Sequence, residues 1–121
     1  MELKNGEIFQ MGQLCGELAE VDVPARVGYH VGRLIKKVQS AGKDIDETRN
    51  KLIAKYGEKN DKGLPQVKPD SPNFETFAEE YNGLMDEKTD IDANKVILPA
   101  ETKIKIKLLM AFDPFLEVTE A

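Results

Sequence analysis

The sequence has little of what marks a disulfide-stabilised, membrane-spanning or nucleic-acid-binding protein. Its single cysteine, Cys15, excludes an intramolecular disulfide and favours a reducing compartment. No apolar run approaches the roughly 20 residues that a membrane span requires, and residues 1–6 lack the features of a signal peptide. The net charge of −5 argues against nucleic acid as a partner, because phosphate binding needs an excess of Lys and Arg. We therefore expect a cytosolic protein.

The chain is long enough to bury one hydrophobic core but too short to form two. Its 121 residues are 40% hydrophobic and 32% charged, which is typical of an ordinary globular protein. We predict a single domain over residues 1–121.

The longest regular pattern runs from Pro24 to Tyr56 and predicts one long helix. Asp22 can cap its first turn, Pro24 suits the first helical position, and Gly57 can end the helix in the left-handed conformation. The apolar positions recur at steps of four and three residues without a slip, so we expect the helix to continue through Gly42. This seam consists of Val27, Val31, Leu34, Val38, Ala41, Ile45, Thr48, Leu52 and Tyr56.

A helix with one long apolar seam needs another element to cover it. Residues Pro72–Glu87 carry a second helical pattern, with Ser71 as the cap and Pro72 at the first helical position. A connector of about 14 residues favours an antiparallel pair. The apolar stripe of this second helix consists of Phe74, Phe77, Ala78, Tyr81, Leu84 and Met85.

The N-terminal segment predicts a hairpin followed by a short helix. Asn5-Gly6 is a strong type I′ turn signal, which places the hairpin within residues 1–10. The spacing of Met11, Leu14, Cys15 and Leu18 predicts a helix that ends near Val21.

The C-terminal third predicts short strands. Val96-Ile97-Leu98 and residues 115–118 are typical of strands, and Glu101–Lys107 alternates isoleucine with lysine as a half-exposed strand does. Residues 108–112 fit a helical turn equally well. The predicted fold is α+β: an antiparallel pair of long helices, a short N-terminal helix, and a small sheet from the N-terminal hairpin and the C-terminal strands.

No catalytic set is visible in the sequence, and we predict that the protein is not an enzyme. His30 is the only histidine and has no evident orienting partner or nucleophile, so we interpret it as a surface or packing residue. A Cys15–His30 dyad would require the first helix to fold back on the second. Cys15 lies on an apolar stripe, which favours a core position over a reactive one.

One motif has the spacing of a calcium-binding loop. Asp90, Asp92, Asn94 and Glu101 occupy positions 1, 3, 5 and 12 of an EF-hand loop. Lys95 stands where the sharp turn needs glycine, and Pro99 opposes the helix that should follow. We interpret the segment as a solvated acidic loop and predict neither a metal nor a cofactor.

The basic residues of the long helix are the candidate binding residues. Arg26, Arg33 and Lys37 fall on similar sides of the helix and form a modest basic stripe. Aromatic residues do not interleave with the stripe, so single-stranded nucleic acid is not favoured. The basic stripe predicts binding of a small anionic ligand such as a nucleotide.

Over most of its length the chain resembles small proteins of bacteriophages and prophages that belong to families of unknown function. The start, Met1-Glu2-Leu3-Lys4-Asn5-Gly6-Glu7, and the helix end, Asn50-Lys51-Leu52-Ile53-Ala54-Lys55-Tyr56-Gly57, carry the resemblance, together with the close at Ala111–Glu117. The resemblance implies a phage origin and a life in the cytoplasm of a bacterial host. It brings no active-site residues.

Three functions stay open from the sequence. The first is a non-catalytic phage-encoded interaction module that binds a host protein and inhibits or redirects it. The second is a structural or assembly protein of the virion or tail, whose seam is shared between copies in a homo-oligomer. The third is a binder of small anionic nucleotides at Arg26, Arg33 and Lys37.

Overall fold

The structure, a computed structural model, describes residues 1–59 and 61–119 and has an α+β architecture with four helices. The helices are α1 (Asn5–Ala19), α2 (Ala25–Tyr56), α3 (Phe74–Asp86) and α4 (Ile106–Ala111). The strands are β1 (Glu2–Lys4), β2 (Glu58–Lys59), β3 (Pro65–Gln66), β4 (Lys88–Asp90), β5 (Val96–Leu98) and β6 (Leu116–Val118).

Helix α2 confirms the predicted long helix and its seam. It runs for 32 residues and passes Gly42 without a break. Four seam positions are buried: Val31, Leu34, Val38 and Ile45. These four positions are buried within one chain and are therefore not available to a second copy, whereas Thr48 is exposed.

The ends of α2 differ from the prediction. Pro24, rather than Asp22, is the N-cap residue, and no side chain makes a capping hydrogen bond. Gly57 follows the last turn with φ −90°, which is not left-handed. The glycine is needed for another reason: a Cβ atom there would collide with the carbonyl oxygen of Ile53 and lie 3.0 Å from that of Gln66. The last turn of α2 and the neighbouring β3 together therefore leave no room for a Cβ atom at this position.

The predicted N-terminal hairpin is wrong, because β1 pairs antiparallel with the distant β4 and α1 begins at Asn5. Asn5 is only 6% exposed. Its backbone N–H donates to Glu87 O at 2.8 Å, its side-chain amide donates to Leu84 O at 2.9 Å, and its side-chain oxygen accepts from Thr89 Oγ1 at 2.6 Å. These bonds satisfy a buried amide, as burial requires. They connect the start of α1 to the end of α3. The turn signal at Asn5-Gly6 instead predicts a solvated loop at the start of α1.

Helix α1 is the main partner of α2 and also contacts α3 and α4. Ile8, Met11, Cys15 and Leu18 on α1 are all 1% exposed or less. The seam of α2 is therefore covered chiefly by α1, and by α3 to a smaller extent.

Helix α3 confirms the predicted apolar stripe but begins at Phe74, after both Ser71 and Pro72. Asn73 is the N-cap residue, and its backbone N–H donates to Ser71 Oγ at 3.3 Å. Helix α3 packs against α2, with Glu80 near Lys55 in the last turn of α2. The side chains of the stripe are half-buried, and none is fully buried.

The predicted strand at Glu101–Lys107 is wrong. Residues 102–105 have no regular structure, and α4 begins at Ile106. Leu108 and Phe112, four residues apart, are buried at 2% and 0% exposure, which is helical spacing. The segment 108–112 thus follows the helical alternative. The predicted final strand is present as β6, which pairs in parallel with β5.

The N- and C-terminal strands therefore form separate two-stranded sheets rather than one, and β2 and β3 form a third. The turn between β2 and β3 contains Gly63, whose φ of +76° favours glycine. Asn60, in the same connection, lies outside the described residues. Across residues 1–59 and 61–119, no helix combines the length and the hydropathy needed to cross a bilayer.

Candidate anion-binding site

A pocket of about 180 Å³ lies between α2 and residues 93–96, which follow β4 and enter β5. We call it the cationic pocket, after its polar lining residues His30, Arg33, Lys37, Asn94 and Lys95. Leu34, Ala93 and Val96 complete the lining. Among the described residues that line it, none carries a carboxylate.

The α2 wall of the pocket follows from helical periodicity. Residues 30, 33, 34 and 37 are spaced by three or four positions and so share one face of a helix. Leu34 is buried, whereas His30, Arg33 and Lys37 are exposed. The pocket therefore lies where the core face of α2 meets its solvent face.

The opposite wall is held by a buried residue at each end. Ile91 is 3% exposed and its N–H donates to Met1 O at 2.9 Å. Val96 is 5% exposed and its N–H donates to Phe115 O at 2.7 Å. These anchors fix the short segment between them, so Asn94 and Lys95 stay opposite α2.

Two of the pocket cations are held by neutral oxygen atoms. Arg33 Nη1 donates to Tyr29 Oη at 3.2 Å, and its guanidinium carbon lies 5.8 Å from the centre of the Tyr29 ring. Lys37 Nζ donates to the backbone carbonyl oxygen of Asp92. Tyr29 also makes an edge contact with His30, with ring centroids 5.4 Å apart. Neither oxygen carries a formal charge, so neither cation is neutralised by its partner.

Three other cationic side chains among the described residues are paired with carboxylates. Lys107 and Lys105 contact Glu17 at 2.9 and 3.3 Å, and Arg49 contacts Asp46 at 3.3 Å. In the part of the chain that the structure describes, no ion pair involves Arg33, Lys37 or Lys95. The cationic pocket is thus a place where positive charge remains available to a ligand.

The structure brings together two of the three residues predicted from sequence. Arg33 and Lys37 line the pocket, but Arg26 does not. Seven residues separate Arg26 from Arg33, which is about 10 Å along a helix. His30, Asn94 and Lys95 line the pocket without having been predicted as ligand-binding residues. Helical spacing places His30 on the same face as Arg33 and Lys37 and could have identified it. No local signal pointed to Asn94 and Lys95, which reach α2 only through the tertiary fold.

The residues with calcium-loop spacing do not converge. Asp90 accepts from the amino group of Met1 at 2.7 Å, Asn94 lines the cationic pocket, and Glu101 lines a surface pocket near Pro24. Residues 1–59 and 61–119 contain no group of three or more His, Cys, Asp or Glu side chains placed to hold a metal ion.

A second pocket, of about 420 Å³, lies beside the first and is acidic. Asp44, Asp90 and Asp92 line this acidic pocket, and Lys37 lines both pockets. Carboxylates repel an anion at short range. An anion that approaches Lys37 is therefore directed towards Arg33 and Lys95 rather than towards the aspartates.

Cys15 is separate from this site. It is 1% exposed, it does not line the cationic pocket, and burial raises the pKa of its thiol. The core position predicted for Cys15 is confirmed, and it does not share the pocket of His30. A buried thiol with a raised pKa is a poor nucleophile at neutral pH.

Comparison with models of protein families, with curated proteins and with solved structures gave no match to this chain. The phage origin implied by residues 1–7 and 50–57 stays a prediction. The case for a function therefore rests on the charge and geometry of the chain itself.

Proposed function

We propose that this protein is a non-catalytic binding protein that captures a small anionic ligand in the cationic pocket. The observation that carries the proposal is the convergence of Arg33 and Lys37 with Lys95, from two separate segments, on one pocket without a carboxylate. This is the third of the functions left open by the sequence.

The size of the pocket limits what it can enclose. Pockets that enclose whole drug-sized ligands measure about 300–1,000 Å³, and this one measures about 180 Å³. It suits one anionic group, with the rest of a larger ligand such as a nucleotide lying outside. Because its cations are exposed, salt screens much of their attraction, and we expect binding to weaken as ionic strength rises.

The non-catalytic role is part of the proposal. In the described lining of the cationic pocket, neither a carboxylate to orient His30 nor a thiol stands beside it. A general base in a cleft ordinarily has such an orienting group and a nucleophile within reach. The arrangement favours holding an anion over transforming it.

A titration of the ¹⁵N-labelled protein with inorganic phosphate in low salt tests this function. We expect amide shifts confined to residues 30–37 and 92–96, and a loss of binding in Arg33→Ala and Lys95→Ala. Arg26→Ala is the matched control, because Arg26 lies on the same helix outside the pocket. Equal loss in all three variants, or no shift at all in the parent protein, would contradict the proposal.

A second candidate is the interaction module that binds a protein partner, with a host protein and a phage origin as its predicted setting. It is favoured by α4, where Ile106 and Met110, four residues apart, are each 74% exposed. A contiguous exposed apolar patch is a feature of protein interaction sites. A tagged pull-down from bacterial lysate tests it. A stoichiometric protein that is captured by the parent and lost with Ile106→Ser/Met110→Ser would support this function, whereas equal capture by both would contradict it.

A virion or tail component remains a third prediction. Its motivation was a seam shared between copies, but four positions of that seam, Val31, Leu34, Val38 and Ile45, are buried within one chain. A homo-oligomer would have to use surfaces other than these four positions.

A further inference from the structure

The charge of the cationic pocket exceeds what a singly charged ligand needs. Arg33, Lys37 and Lys95 each carry a full positive charge, and no described carboxylate pairs with any of them. Lys37 also borders the aspartates of the acidic pocket, so the uncompensated charge lies chiefly on Arg33 and Lys95, and a ligand with one negative charge would leave part of it unmatched. A ligand with two negative charges matches it better.

The donors stand on opposite walls of the pocket. Arg33 and Lys37 belong to α2, and Asn94 and Lys95 belong to the segment that faces α2. A carboxylate has two oxygen atoms in one plane, and one side chain can occupy both. A phosphoryl group offers three strong acceptor oxygens in a tetrahedral arrangement, so it can accept from both walls at once.

The hydrogen bonds that position Arg33 and Lys37 leave most of their N–H donors free. An arginine has five N–H donors and a lysine has three. The structure assigns one donor of Arg33 to Tyr29 and one donor of Lys37 to Asp92 O. Tyr29 and the Asp92 carbonyl therefore position the two cations and leave most of their donors for a ligand. Arg33 retains the fork that binds phosphate oxygens in pairs.

We propose that the cationic pocket recognises the terminal phosphomonoester group of a small molecule, as a dianion. This inference rests on the proposed anion binding and narrows its ligand to one chemical class. Tyr29 is the positioning residue for Arg33, and Lys95 supplies the charge from the opposite wall. The pocket distinguishes a phosphomonoester from esters of similar shape that carry a single negative charge.

Methyl phosphate and methyl sulfate are matched probes for this proposal. Both are small tetrahedral esters, but methyl phosphate carries close to two negative charges at pH 7.5, because the second pKa of a phosphate ester lies near 6. The experiment is a pair of ¹⁵N-detected titrations of the full chain in low salt. We expect methyl phosphate to bind at least about fivefold more tightly than methyl sulfate, as an added charge among exposed cations allows.

Two variants locate the source of the preference. Lys95→Met should bring the two affinities to within about twofold of each other, whereas the control Arg26→Met should keep the preference of the parent. Tyr29→Phe removes the hydroxyl that holds Arg33. It should lower the preference for methyl phosphate while the melting temperature stays that of the parent, which a merely structural role for Tyr29 would not produce.

The outcomes separate the two proposals. Equal binding of both esters at residues 30–37 and 92–96 would overturn the phosphomonoester inference and leave anion capture in place. Binding of neither ester would overturn both. Shifts centred on the lysines of residues 103–107 would also overturn both, because the anion would then occupy a different surface.

Discussion

Helices α1 and α3 both pack against α2, yet they are buried to very different depths. Five residues of α1 are buried, whereas α3 has none, although its apolar stripe has the cleaner helical period. Helix α1 contacts α2, α3 and α4, so it is covered from several directions, whereas α3 contacts only α1 and α2 extensively. A regular stripe therefore identifies which face of a helix is apolar, and neighbours on several sides decide how deeply it is buried.

The difference predicts that the shared seam and α1 carry most of the stability. Folding stability is a small balance of about 5–15 kcal/mol, so the loss of one deeply buried contact is a large part of it. Substitutions in the three helices and at their junctions test this division.

A charge in the seam of α2 should have the largest effect. Val38 is fully buried, so Val38→Asp places a carboxylate without a partner in the core and should lower the free energy of unfolding by about 4 kcal/mol or more. Circular dichroism and gel filtration would detect the unfolding. Gln39→Asp, at the exposed neighbouring position, should melt close to the parent. A Val38→Asp protein that melts like the parent would show that the register of α2 is wrong.

The same deletion in α1 and in α3 compares the two helices directly. Leu18 is 1% exposed and Leu84 is half-buried. Leu18→Ala should lower the free energy of unfolding by about 2–5 kcal/mol, and Leu84→Ala by about 1–2 kcal/mol, because less apolar surface is lost from the core. Urea denaturation of both variants measures the two values. Equal losses would mean that α3 contributes to the core as α1 does.

The junction between α1 and α3 depends on Asn5. Asn5→Ala removes the partner of Leu84 O and of Thr89 Oγ1 and should lower the free energy of unfolding, measured by urea denaturation, by about 1–3 kcal/mol. Thr89→Val removes one of the two bonds and should have a smaller effect. If Asn5→Ala were neutral, the two helices would not be joined through this side chain.

Matched glycines on the two helices test whether they unfold together. Beyond its own helix backbone, a Cβ atom at Gly16 on α1 or at Gly83 on α3 would meet no atom within 4 Å. Each glycine→alanine change should raise the free energy of unfolding by about 0.5–1 kcal/mol. A gain at Gly16 without one at Gly83 would indicate that α3 unfolds in a separate step before the rest.

The contact of α1 with the 103–107 segment should have the smallest effect and a definite pH dependence. Hydrogen bonds from Lys107 and Lys105 lower the pKa of Glu17. A carboxyl group whose pKa is lower in the folded state stabilises the protein above its unfolded pKa, and this stabilisation is lost as the pH falls through the folded pKa. Glu17→Gln should therefore destabilise the protein slightly at neutral pH, and the difference from the parent in melting temperature should vanish in acid. A difference that persists in acid would point to packing instead of charge.

The candidate site was only partly predictable from the sequence. Arg33 and Lys37 could be grouped because helical spacing places them on one face. Arg26 was grouped with them, but it lies about two helical turns from Arg33 and outside the pocket. Helical spacing shows which residues share a face, but it does not show how far along the helix a pocket extends. Asn94 and Lys95 could not be found in this way, because the contact between their segment and α2 depends on how Ile91 and Val96 are anchored.

Local patterns were enough to establish the α+β class, the long helix with its seam, the apolar stripe of α3 and the core position of Cys15. Each follows from periodicity and apolar burial within one element. Three features depend on long-range contacts: Asn5 begins a helix, β1 pairs with β4, and the lysine–isoleucine segment ends in α4 instead of forming a strand. The physical reason is the same in each case. A polar turn residue or an alternating segment can adopt more than one conformation, and it adopts the one in which a distant element supplies its hydrogen bonds and buried contacts. The cationic pocket also depends on long-range contacts, because its two walls come together only when the chain has folded.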